Sequence, residues 1–444
     1  MVGLQCWEAL SVRAHTFSRR TVVLAGGGVV ALSATATAPA SAGMAQINVR
    51  NYGAIGDGRT DSTHAFRTAI DAASRRVKAS LGLAIVQVVI PSATSSYRVG
   101  PLTIPTNVEL VGTGATRPRL LPKASVARWI TTASNARNTA IRNLVLDTYG
   151  RVAEAAITMA SGTSGFAIAS TQITNGAGTP ARAGIDTRSG TRNLAISACT
   201  LGGITAVRLG YNPTNTSIRQ TTFKGWVDRA VWVRSDETYA VNGLTIDSCT
   251  ILPPAPGGTV RQPIQINGAD SKPIQNVTIT NNRVTGPGTD YNDTTTPGTA
   301  DLISLHRCEG FTVSGNTVTG GGDVGITVAQ QSRNGVVSNN TSFANFSSGI
   351  AIGSGTSSYV RDISVSGNRC LDNGRVGRND TTPAAARTGI YVQGAQTVSV
   401  KDNRSGSDSA TTSQLYGVST ARSTGVTISG NDLHGNARSS TYSA

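Results

Sequence analysis

One short phrase returns through the second half of the chain and limits what the chain can fold into. Val277-Thr278-Ile279-Thr280-Asn281-Asn282 is followed by Phe311-Thr312-Val313-Ser314-Gly315-Asn316 and Ile363-Ser364-Val365-Ser366-Gly367-Asn368. Val398-Ser399-Val400-Lys401-Asp402-Asn403 and Val426-Thr427-Ile428-Ser429-Gly430-Asn431 complete the series. Apolar and polar residues alternate in each copy, the mark of a strand with one buried face. The second buried residue of each copy serves as an anchor, and weaker copies place anchors at Val337, Ile246, Ile218, Ile196, Ile168 and Leu146. Anchors recur about every 22–35 residues, a period that calls for stacked coils of strands.

Three residues beyond each anchor the column reads Thr171, Cys199, Thr221, Cys249, then Asn282, Asn316, Asn340, Asn368, Asn403 and Asn431. Amides stacked at the inter-strand spacing of about 4.8 Å can hydrogen-bond to one another, so an internal asparagine ladder is expected. Asparagine also tolerates the left-handed backbone of a sharp bend, which is expected at the same position.

The register settles how the cysteines are read. Cys199 and Cys249 share the ladder column with Thr221 between them, two spacings or about 9.6 Å apart, beyond disulfide reach. Cys370 stands where neighbouring coils carry an apolar residue, and with Cys308 these four, all the cysteines beyond residue 42, are expected to be buried free thiols.

Residues 1–42 read as an export signal. Arg19-Arg20 precede an apolar, small-residue stretch, and Ala40-Ser41-Ala42 offers a small-x-small cleavage site. That stretch is too short for a stable membrane span, so a secreted, extracellular chain without a membrane anchor is expected. Removing the segment takes Arg13, Arg19, Arg20 and Glu8 and leaves a net charge of about +13, mostly from arginine. Guanidinium forks suit carboxylates and sulfates, which points to an acidic partner, although the same charge also serves solubility. Nucleic acid fits the charge but not the export.

Near the front, Tyr52-Gly53-Ala54-Ile55-Gly56-Asp57-Gly58-Arg59-Thr60-Asp61 precedes an apolar stripe of Ala65, Phe66, Ala69, Ile70, Ala73 and Val77. The stripe predicts an amphipathic helix with Asp61 as N-cap, laid over the open end of the coils. Asp57 and Asp61 read as structural, and His64, Arg67, Arg75, Arg76 and Lys78 as a solvated face.

This opening closely resembles the start of the pectate-lyase superfamily, shared by polygalacturonase-like enzymes, alginate epimerases and some phage tailspikes. The resemblance implies an all-β, right-handed parallel β-helix with an N-terminal capping helix and a carbohydrate substrate. One β-helix domain is expected over 43–444, with the cap and first turns in 43–125 and repeating coils in 126–444. Asn-Thr-Asp, Asp-Asp, Gly-His-Gly and Arg-Ile-Lys, which would mark a polygalacturonase-like site, are all absent, as is the Asp-Pro-His-Glu of alginate epimerases. The resemblance therefore carries no site residue over.

Each coil also holds a second strand, as in Ile185-Asp186-Thr187-Arg188, Val207-Arg208-Leu209 and Val231-Trp232-Val233-Arg234. The same strand recurs in Ile264–Asn267, Ile303–His306, Ile326–Val328, Ile350–Ile352 and Ile390–Gln393. Long links precede it around Pro253–Gln262, Thr285–Asp301 and Leu371–Thr388, and insertions on one edge of a solenoid usually wall its binding face. The outward side of this strand is the expected groove. Asp186, Arg188, Arg208, Trp232, Arg234, Arg387 and Tyr391 are its candidate sugar-binding residues, an aromatic face among guanidinium groups. The alternative is an ordinary mixed surface with Trp232 covered.

Asp301 and Asp323 precede the second strand in adjacent coils, and His306 follows in the first of them. Two carboxylates roughly 5 Å apart suit glycoside cleavage, with crowding and burial dividing acid from base. The same pair could hold Ca²⁺ for uronate chemistry, with Arg307 or Arg387 as base or charge neutraliser, or could merely satisfy turn backbone. The expected function is a secreted lyase, hydrolase or epimerase acting on an acidic polysaccharide. The alternative is a non-catalytic carbohydrate-binding or cell-surface β-helix.

Overall fold

The alternation of β-branched and small polar residues leaves each strand one apolar face, which only stacking on the next coil can bury. The structure, a computed structural model, describes residues 44–443 apart from 239, 256–261, 290–300, 354–358, 376–382 and 409–411. The expected export segment and parts of all three long links lie outside the described residues. A 14-stranded sheet takes the anchor strand of each coil in strict chain order, and a 23-stranded sheet takes the other strands. Both are parallel ladders, so the chain winds as a parallel β-helix.

The anchors sit in one column. Ile168 pairs with Ile196, and the column runs on through Ile218, Ile246, Ile279, Val313, Val337, Val365, Val400 and Ile428. Leu146 is not part of it. Ile141 pairs with Ile168 as the true anchor, whereas Leu146 pairs with Ile173 in the short strand beyond the bend. From Ile141 to Val400 the anchor side chains are fully buried, each contributing roughly 1.5–3 kcal/mol.

The asparagine ladder is continuous. Nδ2 of Asn282, Asn316, Asn340, Asn368 and Asn403 each donates to Oδ1 of the next rung at 2.9 Å. The second Nδ2 proton goes to the anchor carbonyl of the preceding coil, as in Asn340 to Val313 at 2.9 Å. Cys249 Sγ contacts the Ile218 carbonyl in the same way at 3.6 Å, so a thiol and an amide fill one structural role. The left-handed residue is not the ladder asparagine but the one before it. Asn281, Asn339 and Asp402 take φ of 56°, 54° and 56°, and Gly315, Gly367 and Gly430 stand there in other coils. A β-carbon raises the cost of that conformation, which favours Gly, Asn and Asp in these coils, although Ser170, Ala198, Gln220 and Ser248 adopt it at the same position in earlier coils. Among the described residues the four cysteines, Cys199, Cys249, Cys308 and Cys370, are free and buried.

The helix Thr63–Ala79 buries Ala65, Phe66, Ala69, Ile70, Ala73 and Val77, as its periodicity predicts, and Phe66 meets Tyr97 edge-on at 5.5 Å. Its N-cap is Ser62 rather than Asp61. Asp61 stands one residue earlier, where its carboxylate accepts the Thr63 N–H at 2.9 Å and pairs with Lys123. Asp57 accepts the N–H groups of Arg59 and Thr60, so both acids hold the glycine-rich turn in shape. Among the described residues no helix is long and apolar enough to cross a membrane.

Candidate functional site

Parallel pairing converts distant sequence positions into rows along the second strand. Arg208 pairs with Trp232, Trp232 with Gln265, and Gln265 with Ser304. Two residues on, Arg234, Asn267 and His306 form a second row. Side chains in such rows repeat about every 4.8 Å along the axis, so each coil adds one functional position.

Two adjoining clefts open along these rows and share Trp232, Arg234 and Asp236. The smaller, about 190 Å³, adds Arg208, Tyr211 and the Asp186 carboxylate. The larger, about 440 Å³, adds Arg229, Gln265, Asn267 and Arg307. Trp232 is half-buried, and the Arg229 guanidinium stacks 4.9 Å from its ring centroid. Arg234 is exposed, and no carboxylate among the described residues pairs with it. The other cleft arginines are engaged: Arg208 with Asp186, Arg229 with Asp228, Arg307 with Asp270.

Asp186 faces outward as expected, yet it is only 1 % exposed. Its carboxylate accepts from Arg208 Nε at 2.8 Å and lies 3.4 Å from Arg188, so it fixes guanidinium groups instead of meeting a ligand. Arg188 leans toward Glu154 at 3.6 Å, where Arg128 also pairs, and lines neither cleft. Arg387 and Tyr391 are likewise set apart. Arg387 donates to the carbonyls of Gly374 at 3.1 Å and Ser413 at 3.4 Å, and Tyr391 pairs with Ala351, two coils beyond Ser304. The outward face is therefore not a groove along its whole length. Ser304, Thr327, Ala351 and Ser419 are buried, and the open stretch runs from Arg208 to Asn267.

Just beyond that stretch Asp301, Asp323 and His306 come together. Asp301 is 8 % exposed, and burial, followed by the charge of Asp323, pushes its pKa up to about 7. Burial and the nearby Arg307 charge depress the pKa of His306, while a hydrogen bond with Gln330 partly opposes them. Ser304 joins the two: its Oγ lies 3.3 Å from Asp301 Oδ2 and 2.8 Å from His306 Nε2. Arg307 takes a left-handed backbone, φ 52°, at the end of this strand, and its side chain turns away to Asp270 and Gln330. Neither Arg307 nor Arg387 is placed to serve the acid pair. Among the described residues no three His, Cys, Asp or Glu side chains group to hold a metal ion.

Sequence reasoning missed Ser304, Gln265, Asn267 and Asp236. The first three lie in register with Trp232 or Arg234, and that register was the available signal.

Residues 46–252 match the rhamnogalacturonase A/epimerase, pectate lyase-like family, and residues 205–381 match the right-handed beta helix region family. The mannuronan C-5 epimerase AlgE6 A-module of Azotobacter vinelandii is 18% identical over 90% of this chain and 99% of its own, with a TM-score of 0.52. The Family 28 exopolygalacturonase of Yersinia enterocolitica is 13% identical over 90% and 78%, with a TM-score of 0.50. PfbA, a surface adhesin of Streptococcus pneumoniae, is 14% identical over 90% and 92%, with a TM-score of 0.56. At these identities the likeness is one of fold. No curated protein matches the chain significantly in sequence.

Proposed function

The chain belongs to the pectate-lyase-like superfamily of right-handed parallel β-helices, and on that premise we propose that it is an exported enzyme that hydrolyses an acidic polysaccharide. The observation that carries the reading is the row Arg208–Trp232–Gln265–Ser304, which leads the open cleft into the Asp301–Asp323 pair. Trp232 supplies an apolar face for a sugar ring, and Arg234, exposed and paired with no carboxylate among the described residues, suits a sugar carboxylate. Asp301, holding its proton near neutral pH, is the general acid. It protonates the departing glycosidic oxygen as the C–O bond breaks and the bonding electrons pass to that oxygen. Asp323 is the charged partner that activates water or meets the developing positive charge. Export rests on the twin arginine Arg19-Arg20 and the Ala40-Ser41-Ala42 site.

One observation favours a second reading, a carbohydrate-binding protein without turnover. Asp301 is 8 % exposed and Ser304 fully buried, so the acid is covered. Incubation with pectate, alginate and a glycosaminoglycan separates the readings. New reducing ends without unsaturated-uronate absorbance, lost in Asp301→Asn and Asp323→Asn, support hydrolysis. Absorbance of an unsaturated product would move the assignment to a lyase. Binding with neither product, unchanged in both variants, would establish the second reading.

A further inference from the structure

The end of the capping helix carries a feature that packing does not explain. The helix Thr63–Ala79 stops in a hydrogen-bonded turn. The Leu81 N–H donates to the Lys78 carbonyl at 3.0 Å, and the Gly82 N–H to the Val77 carbonyl at 2.9 Å. That pattern places a left-handed residue at the first of the two positions, and glycine usually fills it. Here it is leucine, at φ 55°, a conformation that its β-carbon makes costly. The side chain gains no burial in return, since Leu81 is 89 % exposed and Leu83, two residues on, 86 %. The turn itself is tightly held: the Gly82 carbonyl accepts from Asn107 Nδ2 at 2.6 Å, and the Ala84 N–H donates to Ser80 Oγ at 3.0 Å. Met44, also exposed, joins the same corner, because the strand that starts at Ala45 pairs with Val86.

The charge beside these side chains is mostly of one sign. Arg75, Arg76 and Lys78 are exposed in the last two turns of the helix, and no carboxylate among the described residues forms an ion pair with them. Arg137 is exposed on the next coil, its carbonyl accepting the Asn107 N–H at 2.8 Å. Asp71 is the one acid on the helix and lies a full turn behind Arg75. We propose that this corner docks the folded chain on an anionic membrane surface, with Leu81, Leu83 and Met44 entering the interface and Arg75, Arg76 and Lys78 meeting lipid phosphates. The proposal is independent of the hydrolytic reading. A projecting apolar knuckle enters a bilayer interface as it stands, whereas a protein partner would need a matching hollow, and the cations around it gain from anionic headgroups. The place in the chain agrees. The small-x-small site Ala40-Ser41-Ala42 lies two residues before Met44, so an export segment released there leaves this corner at the membrane. The docking is peripheral and reversible, because only a few side chains enter the interface.

Cosedimentation tests the proposal. The exported chain, purified after release of its export segment, is spun with vesicles of phosphatidylcholine alone and with vesicles containing about 30 mol % phosphatidylglycerol. It should pellet with the anionic vesicles only and be released by about 0.5 M salt. Leu81→Gly combined with Leu83→Ser should lower partitioning about tenfold or more. Leu81→Gly alone should raise the melting temperature, because glycine adopts the left-handed backbone freely, so lost binding and lost stability are told apart. Arg75→Gln combined with Lys78→Gln should weaken binding comparably and leave the melting temperature unchanged. Every variant keeps the same N-terminus, so residues 1–43 cannot produce the differences. Pelleting with neither vesicle, equal pelleting with both, or undiminished binding in the double leucine variant would overturn the proposal.

Discussion

Asn340 donates from Nδ2 to Asn368 Oδ1 at 2.9 Å, and the backbone N–H of Asn340 gives to the same oxygen at 2.9 Å. The two residues are 28 positions apart in the chain and adjacent in space. Each interior rung thus uses both amide protons and receives two donors at its oxygen, so the whole buried group is satisfied.

Cutting an interior rung should therefore be costly. Asn340→Ala orphans the Asn316 amide protons and the Val313 carbonyl, at about 1–3 kcal/mol for each unsatisfied group, and a loss of about 3–5 kcal/mol is expected. Asn431→Ala, at the solvent-accessible end of the ladder, should cost about 1 kcal/mol. Denaturant unfolding of the two variants checks the ratio.

Binding should depend on the exposed guanidinium. Arg234→Ala removes a charge-assisted contact of about 1.5–3 kcal/mol, so affinity for an acidic oligosaccharide should fall roughly 10- to 100-fold with no change in melting temperature. Asp186→Asn should weaken binding less and also lower stability, because its buried carboxylate holds the half-buried Arg208 and Arg188. Calorimetric titration alongside thermal melting separates the two effects.

The pH dependence of stability has a definite sign at Asp301. Its folded pKa of about 7 stands above the ordinary carboxyl value, so the folded state binds more protons than the unfolded state between about pH 4 and 7. That contribution is full below about pH 4 and is lost as pH rises through 7. Asp301→Asn should flatten the decline, giving a variant more stable than the parent at pH 8. Asp57 and Asp61, held down to about 2, act in the opposite sense, their contribution disappearing as pH falls below 4 toward 2. Melting temperatures from pH 3 to 9 test both slopes.

Thiol chemistry gives an independent check on the register. Burial pushes the Cys249 thiol up to about 11 and raises Cys199, Cys308 and Cys370 as well. None should react with a thiol reagent at pH 8 until the protein unfolds, and reductant should leave the melting temperature unchanged.

Much of this architecture was legible because alternation and spacing are properties of single coils. Ile279, Val313 and Asn316 announce their places through their immediate neighbours. Leu146 was misplaced because the short strand after a bend carries the same local alternation as the anchor strand before it. A second amide ladder, Asn345 to Asn373 to Gln414 to Asn436, escaped notice because a Gln replaces one rung and no repeated phrase flags it. Asp301, Asp323 and His306 were singled out as candidates through their coil positions. Ser304 was not, since an outward serine reads as solvated and only the surrounding chain reveals that it is enclosed.

Successive ladder rungs are separated by 34, 24, 28, 35 and 28 residues, yet every one makes the same bond. Such a scaffold lets segments along one flank lengthen, shorten or be exchanged while the interior is inherited intact. Evolution, or an engineer, can revise what the surface recognises coil by coil, without renegotiating how the molecule stands up.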